Sequence, residues 1–253
     1  MLLDLLLVAL ASFAAGLIDA IVGGGGLILV PALFSVYPGA APATLLGTNK
    51  AAAVWGTAWS AAQFARRVEM PWATLAPAAL AALAGGFGGA WAVTAIDPAG
   101  LRKALPVVLL AVLVYTLARK DLGRHHAPRL GRRGQAAAAC GIGLACGFYD
   151  GFFGPGTGSF FVFLFVRVLG FDFLHASASA KWLNMATNLA ALGLFAAVGH
   201  VLWPAAAAMA LANVAGSLLG TRLALRHGAG FVRGVFIGVV GALILKTAWD
   251  AFA

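Results

Sequence analysis

Charge is what this chain has least of. Asp, Glu, Lys and Arg make up 10% of its 253 residues, against roughly 25% in soluble domains. With 62% hydrophobic residues, too little polar surface remains to cover a water-facing globule, and a bilayer is the natural solvent. Each span then takes about 20 mostly apolar residues. Cysteine is nearly absent. Cys140 and Cys146 fall on different faces of a helix, so neither a disulfide framework nor a zinc spacing can be built from them. No nucleophile–base pair and no metal cluster stands out, which argues against an enzyme. Acidic side chains are scarce too, leaving a net charge of +9. The basic residues are clustered, however, with eight between Arg119 and Arg133 when His125 and His126 are counted. That cluster reads as a cytoplasmic loop under the positive-inside rule, and no nucleic-acid partner is expected. The first apolar run carries Asp4 and no basic residue ahead of it, unlike a signal peptide. It is read as the first membrane span.

What the chain does have is a gapless internal repeat at an offset of 131 residues. Gly16 pairs with Gly147, Asp19 with Asp150, Gly23 with Gly154 and Gly25 with Gly156. The register continues through Lys50/Lys181, Trp72/Trp203, Gly85/Gly216, Gly89/Gly220 and Arg102/Arg233. Apolar coincidences mean little in so apolar a chain, but rare ionisable pairs at one offset are hard to reach by chance. Internal duplication of this kind marks many secondary transporters.

Apolar segments lie at about 2–22, 27–37, 44–65, 72–96 and 101–118, and again at about 136–153, 158–171, 176–198, 203–225 and 231–249. Without strict alternation a barrel is disfavoured, so the fold class expected is all-α, a polytopic membrane helical bundle. Residues 1–118 form the first transmembrane repeat, 119–134 the basic loop and 135–253 the second repeat. Segments 27–37 and 158–171 are short for a span, so each is a half-helix or a re-entrant arm. Re-entrant arms give four spans per half and parallel copies; crossing arms give five and inverted copies. Arg66, Arg67, the 119–133 loop and the Arg222, Arg226, Arg233 group fall on one side if the copies are inverted. Inversion is therefore the expectation, although Arg102 and Lys103 fit it poorly.

Two constellations carry candidate chemistry. Gly23, Gly24, Gly25 and Gly26 follow Asp19, and Gly154, Pro155, Gly156, Thr157 and Gly158 follow Asp150. Such runs break a helix at membrane depth, and the freed backbone must be buried in protein or line a polar cavity. A half-helix starting there presents N–H groups and a positive dipole end, an anion-binding device. Close helix packing is the plainer reading of the same glycines, as it is for Gly85 and Gly89. Asp19 and Asp150 are candidates for proton coupling, or for structural hydrogen bonds to the freed N–H groups. The second constellation is Thr48, Asn49 and Lys50, matched by Ser177, Ser179 and Lys181, with Asn184 and Asn188 further along the same helical stripe. A lysine in an apolar helix needs an aspartate or an anionic substrate as partner, unless it snorkels to the interface. Trp72 and Trp203 read as interface anchors. His175 and His200 stand singly near loops and receive no role.

On the early Gly-rich break with Pro31 after it, the Gly154–Gly158 break and the basic central loop, the chain resembles the sulfite exporter TauE/SafE family, also called the toluene-sulfonate uptake permease family. The small-residue stretches at Gly85–Gly89 and Gly216–Gly220, ahead of the Arg102 and Arg233 segments, belong to the same pattern. The resemblance covers nearly the whole length. It implies a multi-pass carrier of the cell inner membrane for small sulfur-containing anions such as sulfite, sulfoacetate or organosulfonates, with the direction open. Pro155 and Thr157 depart from a plain glycine run and put strict two-fold equivalence of the site in doubt. The expected substrate-binding set is Gly23–Gly26, Thr48, Asn49, Lys50, Gly154, Gly156, Thr157, Gly158, Ser179, Lys181, Asn184 and Asn188, with Asp19 and Asp150 for proton coupling. Expected partners are the lipid bilayer, the small sulfur anion and, as an oligomeric option, a homodimer; no cofactor is expected. An anion channel is the alternative, with a membrane scaffold or enzyme further behind.

Overall fold

The computed structural model describes residues 2–93, 110, 114, 122–123, 125–128 and 130–252. Most of the expected segment at 101–118, with Arg102, Lys103, Arg119, Lys120, Arg124 and Arg129, lies outside the described residues. Every element among those described is helical: α1 (Leu2–Val22), α2 (Gly26–Val36), α3 (Pro42–Ala65), α4 (Trp72–Ala92), α5 (Arg132–Phe152), α6 (Thr157–Leu164) continued by a π-helical turn (Phe165–Leu169), α7 (Phe173–Ala197) and α8 (Trp203–Phe252). This is the all-α bundle expected of a chain whose backbone must satisfy itself away from water. The starts at Gly26, Pro42 and Trp72 recur 131 residues later at Thr157, Phe173 and Trp203. The two segments expected at 203–225 and 231–249 form one continuous run broken only at Gly228, whose φ of 71° and ψ of −166° leave the helical region.

Sequence chemistry sets the helix ends. Pro42 opens α3 at its first turn, where its missing N–H costs nothing. Asp172 caps α7, its carboxylate accepting from the His175 backbone N–H at 2.8 Å. Burial alone would raise the Asp172 pKa, but the His175 hydrogen bonds outweigh it and hold the carboxyl below its ordinary value. Helix α1 stops where Gly23 and Gly24 take φ of 80° and 98°, a left-handed conformation that glycine adopts without strain.

After that break the chain doubles back. Gly25 lies against the Ala15 carbonyl and the Asp19 side chain, and Leu29 and Leu33 of α2 share a buried cluster with Val8 and Ala15 of α1. The 11 residues of α2 rise only about 16 Å at 1.5 Å per residue, half of a hydrocarbon core of about 30 Å. In the corresponding place α6 packs back on α5, with Phe161, Val162 and Phe165 in one cluster with Ala139, Ile142 and Cys146.

Long-range packing exchanges helices between the halves. Helix α8 lies on α1 and α4 on α5, and both contacts are backbone to backbone. A Cβ at Gly216 or Gly220 would collide with the Phe13 or Leu17 carbonyl, and one at Gly85 or Gly89 with the Leu144 or Phe148 carbonyl. These two sets are each other's counterparts at the 131-residue offset, and they make the small-residue stretches close-packing faces. Helices α3 and α7 cross the centre in opposite directions. Gly47, early in α3, sits against the His200 carbonyl just beyond α7, while Trp182, early in α7, meets Trp72 just beyond α3 at 4.8 Å.

The outer surface is apolar, with Leu6, Trp55, Leu80, Trp91 and Leu211 exposed, whereas Ser12, Asn49, Lys50, Asp150, Lys181, Asn188 and Asn213 are buried. Polar inside and apolar outside is the arrangement a lipid solvent imposes. Trp72 and Trp203 are both exposed.

Candidate functional site

The two glycine breaks meet near the centre of the bundle. Gly23 packs on the backbone of Gly158, and Ser159 Oγ donates to the Val22 and Gly23 carbonyls at 3.4 Å. Around this junction lies a cavity lined by Asp19, Gly24–Gly26, Asn49, Lys50, Thr57, Asp150, Gly154, Gly156–Gly158, Asn184, Asn188 and Asn213. Two elements are short and fold back, and two are long: the breaks leading into α2 and α6 bring glycine backbone, and α3 and α7 bring the polar stripes.

Each lysine is neutralised by the aspartate of the other half. Lys50 Nζ stands 2.7 Å from Asp150 Oδ2, and Lys181 Nζ stands 3.1 Å from Asp19 Oδ2. Both lysines are the ninth residue of their helices, about 12 Å along the axis, and both are buried. The interface-snorkelling alternative therefore fails: neither ammonium reaches an edge. Two lone charges in an apolar bundle would each be expensive, and reciprocal pairing removes that cost without importing a counter-ion.

The two pairs differ in setting. Lys181 also donates to the Asp19 backbone carbonyl, is completely buried and stands behind the cavity wall. Lys50 and Asp150 both line the cavity. Asp19 Oδ1 receives a long hydrogen bond, 3.4 Å, from the Gly25 N–H, so the structural use of an aspartate at a glycine break is realised in the first half. In the second half Tyr149 does the bracing, its hydroxyl donating to the Pro155 carbonyl at 2.5 Å, and Thr157 Oγ1 donates to the Gly154 carbonyl at 2.8 Å.

Most of the expected residues converge, but four stand elsewhere. Gly23 serves the break-to-break contact. Thr48 is spent on the scaffold, donating to Thr44 O at 2.7 Å and accepting from Leu202 N–H at 2.9 Å. Ser179 is buried away from the lining, and Lys181 lies behind it. Ser177 likewise donates to the Ile21 carbonyl at 2.6 Å. Of the histidines read as single, His200 accepts or donates a bond with Thr44 Oγ1 at 3.0 Å, and His175 joins a cluster taken up below.

Two polar residues of the lining were not foreseen. Thr57 is the counterpart of Asn188 at the 131-residue offset, so the repeat itself held the signal. Asn213 corresponds to Ala82, and nothing in the register could have found it. It donates to Ser12 O at 3.1 Å. Asn49 carries the clearest vacancy for a ligand: it is 5% exposed, and its side-chain oxygen has no hydrogen-bond partner among the described residues. Because amide oxygen and nitrogen are interchangeable by a flip, the group is equally able to donate to an anion.

The description "sulfite exporter TauE/SafE" matches residues 8–247, nearly the whole chain. The chain belongs to this family. Its curated relatives carry the same broad role. A probable membrane transporter protein, ORF9 of Sinorhizobium sp, is 35% identical over 240 residues, covering 95% of this chain and 90% of the relative. The probable membrane transporter protein YfcA of Escherichia coli strain K12 is 34% identical over 237 residues, covering 94% and 87%. A Haemophilus influenzae probable membrane transporter protein is 34% identical over 238 residues, covering 94% and 92%. No solved structure matches the chain significantly. As a TauE/SafE member the protein is a multi-pass membrane transporter and not an enzyme.

Proposed function

We propose that this TauE/SafE member is a secondary carrier of small sulfur-containing anions, sulfite, sulfoacetate or organosulfonates among them, coupled to protons and seated in a cell inner membrane. One observation carries the reading: Lys50 lines the cavity and is held there by an aspartate 2.7 Å away on the other half. A sulfite or sulfonate oxygen entering the cavity competes with Asp150 for Lys50. Asn49, Thr57, Asn184, Asn188 and Asn213 supply neutral donors, and the glycine backbones at Gly24–Gly26 and Gly154–Gly158 supply N–H groups. Asp150, once parted from its lysine, is an unpaired carboxylate in buried surroundings, and taking up a proton removes that cost. The anion is thereby accompanied by a proton, and either direction of net transport follows from the gradients.

The halves are read as inverted repeats. Antiparallel α3 and α7 and the reciprocal lysine–aspartate exchange support this, as does the charge bias. Single cysteines at positions 66, 129 and 226 label from the same, cytoplasmic side on this reading, and labelling of 226 from outside would rule it out.

The functional test is flux into proteoliposomes of purified protein with labelled sulfite and a labelled sulfonate, with and without an imposed pH gradient. Saturable, pH-driven accumulation of either class is expected. Flux of neither class sinks the substrate assignment, and flux that never saturates replaces the carrier by a channel.

A further inference from the structure

At the start of α7, on the aqueous edge of the bundle, three metal-ligating groups converge from two chain segments that are far apart in sequence. His126, Asp172 and His175 each offer one ligand atom, and these atoms lie within 4.8 Å of one another. His175 Nδ1 stands 2.6 Å and His126 Nδ1 3.9 Å from the same oxygen, Asp172 Oδ2. The two imidazole rings face each other at 4.2 Å between centroids. We propose that this trio is a binding site for a divalent transition-metal cation of the Zn2+ class, which clips the central connection to the second half of the bundle.

Geometry and chemistry agree on the ligand. Tetrahedral coordination at about 2.1 Å places ligand atoms about 3.4 Å apart, and the observed separations straddle that value. Inserting a cation exchanges the 2.6 Å Asp172–His175 hydrogen bond for two metal bonds, with small rotations of each side chain. Two imidazoles and one carboxylate suit zinc and its neighbours, whereas Mg2+ and Ca2+ prefer all-oxygen sets. Water has access for the fourth position, since the His126 and His175 side chains are 35% and 25% exposed.

The trio is also held in place before any metal arrives. Asp172 Oδ1 is fixed by the α7 cap, which orients Oδ2, the role an outer-shell hydrogen bond plays in metal sites. The connection carrying His126 is tied to the α7 start by two backbone bonds of 2.9 Å, Phe173 N–H to Gly123 O and Ala127 N–H to Gly170 O. Phe171 flanks the His126 ring at 5.1 Å. Helix α7 carries Asn184, Asn188 and Lys181, so the clip anchors a wall of the central cavity to the link between the halves. The proposal stands independently of the substrate assignment.

Tag-free full-length protein in detergent, titrated with ZnCl2, CoCl2 and MgCl2, provides the test. One equivalent of Zn2+ should bind and raise the unfolding temperature, Co2+ should give visible ligand-field absorption of a low-coordinate nitrogen–oxygen site, and Mg2+ should do neither. His126→Ala and His175→Ala should each weaken Zn2+ binding at least about tenfold, the minimum seen when even an outer-shell partner is lost. Asp172→Asn retains a capping oxygen while removing the anionic ligand, and should weaken binding likewise. Zn2+ binding by the His126→Ala/His175→Ala double variant as tight as by the wild type overturns the site. So does equal stabilisation by Mg2+, and so, whatever the variants do, does a wild-type Co2+ sample without that absorption.

Discussion

The two glycine breaks occupy the same place in their halves and follow the same aspartate, yet they do different work. At the first, Gly23 is wedged on Gly158 and the aspartate is a brace: Asp19 holds Gly25 N–H, and Lys181 is fastened to both its carboxylate and its backbone. At the second, the bracing is done by Tyr149 and Thr157, and Asp150 lines the cavity in direct contact with Lys50. Gly154 is less crowded though still tight, its nearest neighbours for an added Cβ being Asp150 O at 3.2 Å and Lys50 Nζ at 3.4 Å, against 2.2 Å to the Gly158 backbone at Gly23. The two halves thus differ at matching positions: Lys50 and Asp150 both line the cavity, whereas Lys181 stands behind its wall. Each lysine finds its counter-charge in the other half, and the groups around each pair decide which lysine faces the cavity.

The comparison breaks most visibly if the two glycines prove equivalent. Gly23→Ala pays the left-handed cost of about 1–2 kcal/mol and also drives a methyl into the Gly158 backbone, so little folded protein should be recovered. Gly154→Ala pays chiefly the first cost and should fold with a lowered unfolding temperature. Thermal unfolding of both purified variants checks this, and matching losses would remove the crowding argument.

A smaller but more informative contrast concerns the aspartates. Asp150→Asn removes the titratable partner of the cavity lysine while keeping shape and hydrogen bonding, and should abolish pH-driven accumulation while substrate exchange persists. Removing one member of a buried pair costs about 3–5 kcal/mol, so some destabilisation accompanies it. Asp19→Asn leaves Lys181 its backbone carbonyl and should lower stability and all transport modes together, by less. Equal pH-driven transport by wild type and both variants disposes of proton coupling at these positions.

The mildest expected effect sharpens the asymmetry of the neutral groups. Asn213→Ala makes the second half resemble the first, which has Ala82 there. Loss of one neutral hydrogen bond is worth about 1 kcal/mol, so half-saturation should rise roughly fivefold with the maximal rate little changed. An unaltered concentration dependence would mean that Asn213 serves only Ser12.

Much of this was legible beforehand. The paucity of charge fixed the lipid solvent, and the solvent fixed helices. Gly23–Gly26 and Gly154–Gly158 announced their breaks because no other residue type adopts left-handed backbone so freely. Lys50 and Lys181 announced a need for partners because an isolated charge cannot stay in an apolar bundle. The register also contained Thr57, unread because its mate Asn188 differs in type. Asn213 was invisible, since one amide in an apolar run has no period to betray it. His175 looked solitary because its companion His126 lies 49 positions earlier, and only the backbone bonds of Gly123 and Ala127 bring the two together.

Composition and residue pattern by themselves determined that this protein is a helical membrane bundle with two glycine breaks and two lysines whose charge has to be accommodated, because burial cost and backbone sterics act residue by residue. Which aspartate answers which lysine was decided by tertiary structure alone. Pairing depends on helix direction and on glycine-lined contacts between elements distant in the chain, so Lys50 finds Asp150 across the bundle, while Thr48, two residues before it, is bonded to the scaffold and Ser179 is buried away from the cavity lining.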